Sequence, residues 1–138
     1  MVALLVLHVD GVSVDKQFLV ELARTPEQWV KGLSGRNLLP GRHGLLFVYP
    51  SSEPRSFWMR DMVFPIDIVF IDDSSTVTRI ERNAVPMRPG EEKTLYHSGV
   101  PIKYALELNA GESDDITSGD LCSLNFNNEK SQYILTFN

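Results

Sequence analysis

The segment from Phe57 to Asp72 limits the folds open to this chain more than any other part of the sequence. It reads FWMRDMVFPIDIVFID and is the densest apolar and aromatic run in the chain. Its second half, from Ile66 to Ile71, consists mainly of β-branched and aromatic residues, which is typical of a buried strand. The turn-forming residues that begin at Asp72 end this strand. We therefore expect a sheet with this segment in its interior.

Asp67 is the one charged residue inside that predicted strand. Because side chains of a strand alternate between its two faces, Asp67 shares a face with Val69 and Ile71. The opposite face carries Ile66, Ile68 and Phe70. Burying an unpaired carboxylate costs on the order of several kcal/mol. We therefore expect Asp67 to be buried beside a guanidinium group, from either Arg36 or Arg60.

The rest of the chain predicts short strands separated by turn signals, together with one helix. The sequence TPEQ at residues 25–28 forms a capping box with proline at the first helical position. It indicates a helix over about residues 26–33, which would turn Trp29, Val30 and Leu33 inward. Further strands are predicted at residues 4–9, 18–22, 44–49, 56–60, 76–82, 104–108, 121–126 and 133–137, with a long loop at 83–96. This pattern predicts a mainly β fold, an antiparallel β-sandwich or barrel with one short α-helix, in a single domain covering residues 1–138.

Composition and charge exclude several classes of function. The net charge of −5 and the pI of about 5.1 argue against a nucleic-acid-binding protein that neutralises phosphates. No apolar run approaches the ~20 residues that span a bilayer, so we expect no integral membrane segment and a cytoplasmic location, although removal of an export signal would leave the same sequence. The three histidines lie far apart and no glycine-rich phosphate loop is present, so we expect no metal or nucleotide cofactor. The sequence does not indicate an oligomeric state.

Five segments together resemble one known family. They are GLSGR at 32–36, GLLF at 44–47, the run at 57–72, YALELNAG at 104–111 and the pair Gly119-Asp120. In order and spacing they are similar to the Domain of Unknown Function 192 family of bacteria and archaea, over about residues 14–126. The resemblance implies a mostly antiparallel sandwich or barrel of jelly-roll type with no established activity. This chain departs from the family at Ser34, where methionine is usual, and at Asp61, where asparagine is usual and where the charge predicts an ion pair with Arg60.

A basic stretch between residues 31 and 60 supplies the candidates for ligand binding. The predicted site residues are Arg36, Trp58, Arg60, Asp67 and Glu107. In the functional interpretation the guanidinium groups clamp a carboxylate or phosphate, and the indole, at the rim of a cleft, provides a stacking surface. In the structural interpretation an arginine pairs with Asp67 and only ties the helix–loop segment to the sheet. The structural interpretation is favoured because buried charges are normally paired.

Three functions remain open at this point. The first, which we place ahead of catalysis, is a non-catalytic module that binds a small polar, anionic or saccharide ligand. The second is a hydrolase or lyase in which Asp67 and Glu107 form a carboxylate pair, at the ~5–9.5 Å separation used in glycoside cleavage. The third is a structural or partner-binding module in which the charged residues only hold the fold.

Overall fold

The elements of secondary structure follow the predicted order along the chain. A computed structural model describes residues 16–138, in which there are nine strands and one short helix. They are β1 (Gln17–Ala23), α1 (Pro26–Lys31), β2 (His43–Glu53), β3 (Ser56–Phe57), β4 (Ile66–Ile71), β5 (Val77–Ala84), β6 (Tyr96–His97), β7 (Ile102–Asn109), β8 (Cys122–Asn127) and β9 (Gln132–Phe137). The strand predicted at residues 4–9 lies outside the described residues. The prediction of a mainly β fold is confirmed.

Seven of the strands form one mixed sheet in the order β5-β4-β7-β2-β1-β9-β8, and β3 pairs with β6 in a small second sheet. The pair β1–β2 is parallel, whereas the other neighbouring strands are antiparallel. The sheet is therefore mostly antiparallel, as expected, with one parallel pair. The parallel pair arises because the connection through α1 is long enough to return the chain in its original direction.

The large sheet curls until its two edge strands meet. An isolated bridge joins Thr76, just before β5, to Leu121, just before β8. Backbone hydrogen bonds from Val77 N to Asp120 O (2.8 Å) and from Cys122 N to Ser75 O (2.9 Å) extend the contact. These bonds pair backbone groups that an open sheet would leave exposed at its edges. The contact agrees with a barrel-like closure, and the jelly-roll arrangement of strands stays a prediction.

Each face of the sheet has its own apolar core. The inner core contains Phe18, Leu46, Val69, Ile71, Tyr104, Leu106, Leu135 and Phe137 among its buried residues. The outer core contains Leu33, Phe47, Tyr49, Met59, Met62, Ile66, Ile68 and Phe70. All six residues of β4 are buried, and they alternate between the two sides as the sequence predicts. The strand at the centre of the sequence argument is therefore buried on both faces.

Helix α1 begins at the predicted capping box. Gln28 N donates to Thr25 Oγ1 (3.3 Å), and Thr25 N donates to Gln28 Oε1 (3.2 Å). The helix ends at Lys31, before Gly32 with a φ of 49°. The inward position predicted for Val30 is wrong, since its side chain is 83% exposed. Each helical residue turns by about 100°, so a helix this short that points Trp29 towards the sheet turns Val30 away.

Strand β3 is shorter than predicted, and the loop between β3 and β4 is correspondingly longer. The strand expected at residues 56–60 ends at Phe57, and Asp61 has a φ of 60°. The loop that follows places Met59 and Met62 in the outer core. Strand β6, the partner of β3, is not predicted from the sequence, because a strand of two residues has no periodicity to detect.

Candidate functional site

A cleft of about 500 Å³ opens on the outer side of the sheet, against the end of α1, β2 and the segment that contains β3. This volume falls within the range of small-molecule sites. Its walls include five aromatic side chains and two methionines, namely Trp29, Phe47, Tyr49, Phe57, Trp58, Met59 and Met62. The cleft therefore offers a ligand flat apolar surfaces on several sides.

Contacts between the rings hold the walls in place. Phe47 and Phe57 meet edge to face with centroids 5.2 Å apart, and the rings of Trp29 and Tyr49 lie 5.1 Å apart. The indole nitrogen of Trp29 donates to Ala23 O at 2.9 Å. A wall fixed by such contacts loses little conformational entropy when it receives a ligand.

Glu107 is the carboxyl group of this cleft. It lies on β7, its residue is 7% exposed, and it is among the residues that line the cleft. Its Oε2 is buried and has no hydrogen-bond partner in residues 16–138. Burial raises the pKa of Glu107 to about 8, although the positive charge of Arg36 opposes this effect. The carboxyl group is therefore mostly protonated at neutral pH.

Tyr49 and Arg55 lie together on the β2 side of the cleft. The guanidinium of Arg55 is 3.7 Å from the centroid of the Tyr49 ring, and its Nη2 lies 3.1 Å from Glu53 Oε2. Burial raises the pKa of Tyr49 above its ordinary value, against the charge of Arg55. Tyr49 is therefore a neutral hydroxyl group at this wall.

Trp58 lies at the mouth of the cleft with 40% of its surface exposed, in agreement with the predicted rim position. Lys93 Nζ is 4.1 Å from its ring and the Arg60 guanidinium is 5.3 Å from it. Arg60 itself is exposed and lies 3.7 Å from Asp61 Oδ2, which is the ion pair predicted from the family comparison. Arg60 is outside the cleft wall and reaches the site only through the indole.

Asp67 is fully buried, as predicted, but its partners are different from those expected. Its Oδ1 accepts from Asn83 N (2.8 Å), and its Oδ2 accepts from Gly111 N (3.1 Å) and from Ser113 N (3.1 Å) and Oγ (2.5 Å). The predicted pairing with Arg36 or Arg60 is therefore wrong. Backbone amides of strand β5 and of the loop after β7 stabilise this carboxylate in place of a guanidinium.

The arginine nearest to this network is Arg82 of β5. It donates to Ser113 O (2.6 Å), to Ser113 Oγ (2.7 Å) and to Ile116 O (2.8 Å). Its charge reaches Asp67 only through Ser113. Arg36, in contrast, binds Glu21 Oε2 at 2.6 Å on the surface. Two of the five predicted site residues, Trp58 and Glu107, line the cleft, whereas Arg36, Arg60 and Asp67 do not.

The proposed carboxylate pair is ruled out by the register of the sheet. Ile68 pairs with Glu107, and Asp67 pairs with Leu108, on the adjacent strands β4 and β7. Glu107 therefore shares the face of Ile68, while Asp67 is on the opposite face of the same sheet. Two carboxyl groups separated by the sheet cannot act on one bond, so the prediction of Asp67 and Glu107 as an acid–base pair is wrong.

Several residues that line the cleft carry no signal of that role in the sequence. Tyr49 and Arg55 were assigned only to a strand end and to a basic stretch, and Trp29 only to a helix face. Ser113, which is outside the cleft, lies in the segment ESDD at residues 112–115, and no signal in the local sequence marks its hydrogen bond to Asp67. These residues meet only through contacts between distant segments, which a single sequence does not specify.

Comparison with known proteins places the chain in a family. The model of DUF192, described as an uncharacterized ACR, matches residues 7–124. The chain belongs to the DUF192 family. No curated protein matches it. Residues 16–138 of this DUF192 member contain no helix that meets the length and apolarity needed to cross a membrane, and no group of three potential metal ligands.

Two solved structures are similar to this DUF192 protein. One comes from Sinorhizobium meliloti 1021, and its name suggests a transcription regulator. It is 36% identical to this chain with a TM-score of 0.68, and the match covers 74% of this chain and 78% of that chain. The other, a protein of unknown function from Novosphingobium aromaticivorans DSM 12444, is 30% identical with a TM-score of 0.69, covering 87% and 91%. Neither name identifies a ligand.

Proposed function

We propose that this DUF192 protein is a non-catalytic module that binds a small polar organic molecule in the aromatic cleft. The observation that carries the proposal is the buried Oε2 of Glu107, which has no hydrogen-bond partner in residues 16–138. A buried polar atom without a partner costs about 1–3 kcal/mol. A ligand that supplies the missing partner recovers this free energy, which favours binding at the floor of the cleft.

The remaining polar groups of the cleft favour binding over catalysis. Ser56 lines the cleft, and its Oγ is 2.7 Å from His97 Nδ1. A serine nucleophile needs a base that a third group orients. No hydrogen bond to His97 Nε2 is present in the described part of the chain, and both side chains are exposed. This pair therefore lacks the orienting group of a catalytic triad.

The geometry also narrows the kind of ligand. Arg36 and Arg60 are engaged by Glu21 and Asp61 outside the cleft, so these two side chains do not form the predicted guanidinium clamp for an anion. An anion would also approach the carboxyl group of Glu107. A neutral or positively charged polar ligand is favoured, and the half-exposed ring of Trp58 suits a saccharide as one such ligand.

Ligand-detected NMR with a panel of sugars, amines and carboxylates tests this proposal. We expect saturable binding by some sugars or amines, weakened at least tenfold by Trp58→Ala. Val63→Ala, at an exposed residue outside the cleft lining, is the matched control and should bind as the wild type does. The proposal fails if the whole panel gives no saturable binding, or if both variants bind equally. The cytoplasmic location and the absence of nucleic-acid binding expected from the sequence stay predictions.

A further inference from the structure

We propose that the ligand of this cleft is a small organic cation whose positively charged nitrogen lies against Glu107 and between the aromatic walls. This inference rests on the proposed binding function and names its ligand class. It starts from two independent features of the cleft. One is an unpaired carboxyl group at the floor, and the other is the set of aromatic faces around it.

The carboxyl group of Glu107 has no ion-pair partner among the described residues. Arg36, whose charge lowers the pKa of Glu107, binds Glu21 Oε2 at 2.6 Å, and Arg55, which lines the cleft, lies 3.1 Å from Glu53 Oε2. No salt bridge to Glu107 is present in residues 16–138. A ligand cation is therefore the group that would complete this site electrostatically.

The aromatic walls suit the same kind of ligand. The face of an aromatic ring attracts a cation within about 6 Å, and cages of such rings recognise quaternary ammonium groups. At the edges of the cleft the protein's own cations already use this attraction, with Arg55 over Tyr49 and Lys93 over Trp58. In the described residues no ammonium or guanidinium group lies over Trp29, Phe47 or Phe57. Those rings are the surfaces that remain for a ligand.

The groups facing Glu107 determine how binding depends on pH. Tyr49 on β2 interacts with it electrostatically, and Arg36, after α1, lowers its pKa. Lys31 of α1 and Arg55 line the same cleft. From β4 the neighbours are the apolar side chains of Ile66 and Ile68.

Burial raises the pKa of Glu107 to about 8, so a cation must bind to a carboxylate that is a minor species at neutral pH. The apparent affinity then falls in proportion to the ionised fraction, which is roughly tenfold for each pH unit below about 8. Binding of a cation releases a proton. A neutral ligand has no such requirement.

Isothermal titration calorimetry with choline and 3,3-dimethylbutan-1-ol tests the inference, because the two probes share a shape and differ in charge. We expect choline to bind at least tenfold more tightly than the alcohol at pH 8. Its affinity should rise roughly tenfold between pH 6 and pH 7, and proton release should appear as a dependence on buffer ionisation enthalpy. Glu107→Gln should remove the preference for choline and its pH dependence. Glu129→Gln, at an exposed residue outside the cleft, should keep both.

The possible failures can be told apart. If the alcohol or a saccharide binds as tightly as choline and Trp58→Ala weakens that binding, the cation inference is overturned while the proposed function stands. If choline binds equally well to wild type and Glu107→Gln at every pH, the cation does not bind Glu107 and the cation inference is overturned. If neither probe binds and the NMR panel is negative, both proposals are overturned. Circular dichroism of each variant confirms that it is folded.

Discussion

Replacement of Glu107 by glutamine is expected to remove a large pH dependence of stability. The pKa of Glu107 rises from the ordinary value of 4.5 to about 8 because the carboxyl group is buried. Between these two values the folded protein holds a proton that the unfolded chain has lost. The free energy of unfolding of the wild type therefore decreases as the pH rises from about 4.5 to about 8. Outside this interval Glu107 contributes no slope.

The magnitude follows from the distance between the two pKa values. One pH unit corresponds to about 1.4 kcal/mol, so the full interval corresponds to an upper limit of about 5 kcal/mol. About 3 kcal/mol of this has been lost at pH 7. Glutamine has nearly the same volume and cannot ionise. The variant should differ from the wild type by less than about 1 kcal/mol at pH 5 and be more stable by several kcal/mol at pH 9.

Urea unfolding at pH 5, 6, 7, 8 and 9, followed by tryptophan fluorescence, measures this difference. Subtracting the two curves removes the contributions of the other titrating groups, provided that they do not contact Glu107. Glu129→Gln, an exposed carboxylate in the turn after β8, is the control and should follow the wild type at every pH. Parallel curves for wild type and Glu107→Gln would refute the assignment of a buried, unpaired carboxyl group.

Three further substitutions test the scaffold, each by urea unfolding. Asp67→Asn should lower the free energy of unfolding by about 3–5 kcal/mol, because the NH₂ group of the new amide would face backbone N–H donors. Its control, Asp115→Asn at an exposed residue, should change the free energy of unfolding by less than about 0.5 kcal/mol. Gly44→Ala should cost about 1–3 kcal/mol, since its Cβ would lie 2.8 Å from Leu106 Cδ1. Gly41→Ala has 3.8 Å of clearance and is its control. Thr25→Ala should cost about 1 kcal/mol through loss of the capping box, while Thr25→Ser retains the cap. A loss below about 1 kcal/mol at Asp67, equal costs at the two glycines, or equal stability of the two Thr25 variants would contradict these assignments.

Local patterns predicted the elements because each depends on residues close in sequence. The bounds of β4 match those expected from its β-branched run, and the capping box fixed the start of α1. The alternation along β4 also placed Asp67 on the correct face. In each case a period or a short motif carries the whole signal.

Partners across long sequence separations could not be predicted in the same way. Asp67 accepts hydrogen bonds from residues 16 to 46 positions away, and three of those four donors are backbone amides, which every sequence contains. An arginine was the expected partner because charge is visible in a sequence, whereas a converging loop is not. Trp58 and Glu107 were selected for their chemistry, yet only the folded chain shows that they line one cleft with Trp29 and Tyr49.

The sheet register that places Asp67 and Glu107 on opposite faces also partitions the molecule. The loop after β7 that binds Asp67 is anchored on one side, while the cleft is assembled on the other from α1, the β3 segment and outward-facing positions of the sheet. Substitutions at the outer wall therefore leave the inner core and its anchored loop intact. Under the proposed binding function, relatives that share this scaffold could change ligand by exchanging a few wall residues, without redesign of the framework beneath them.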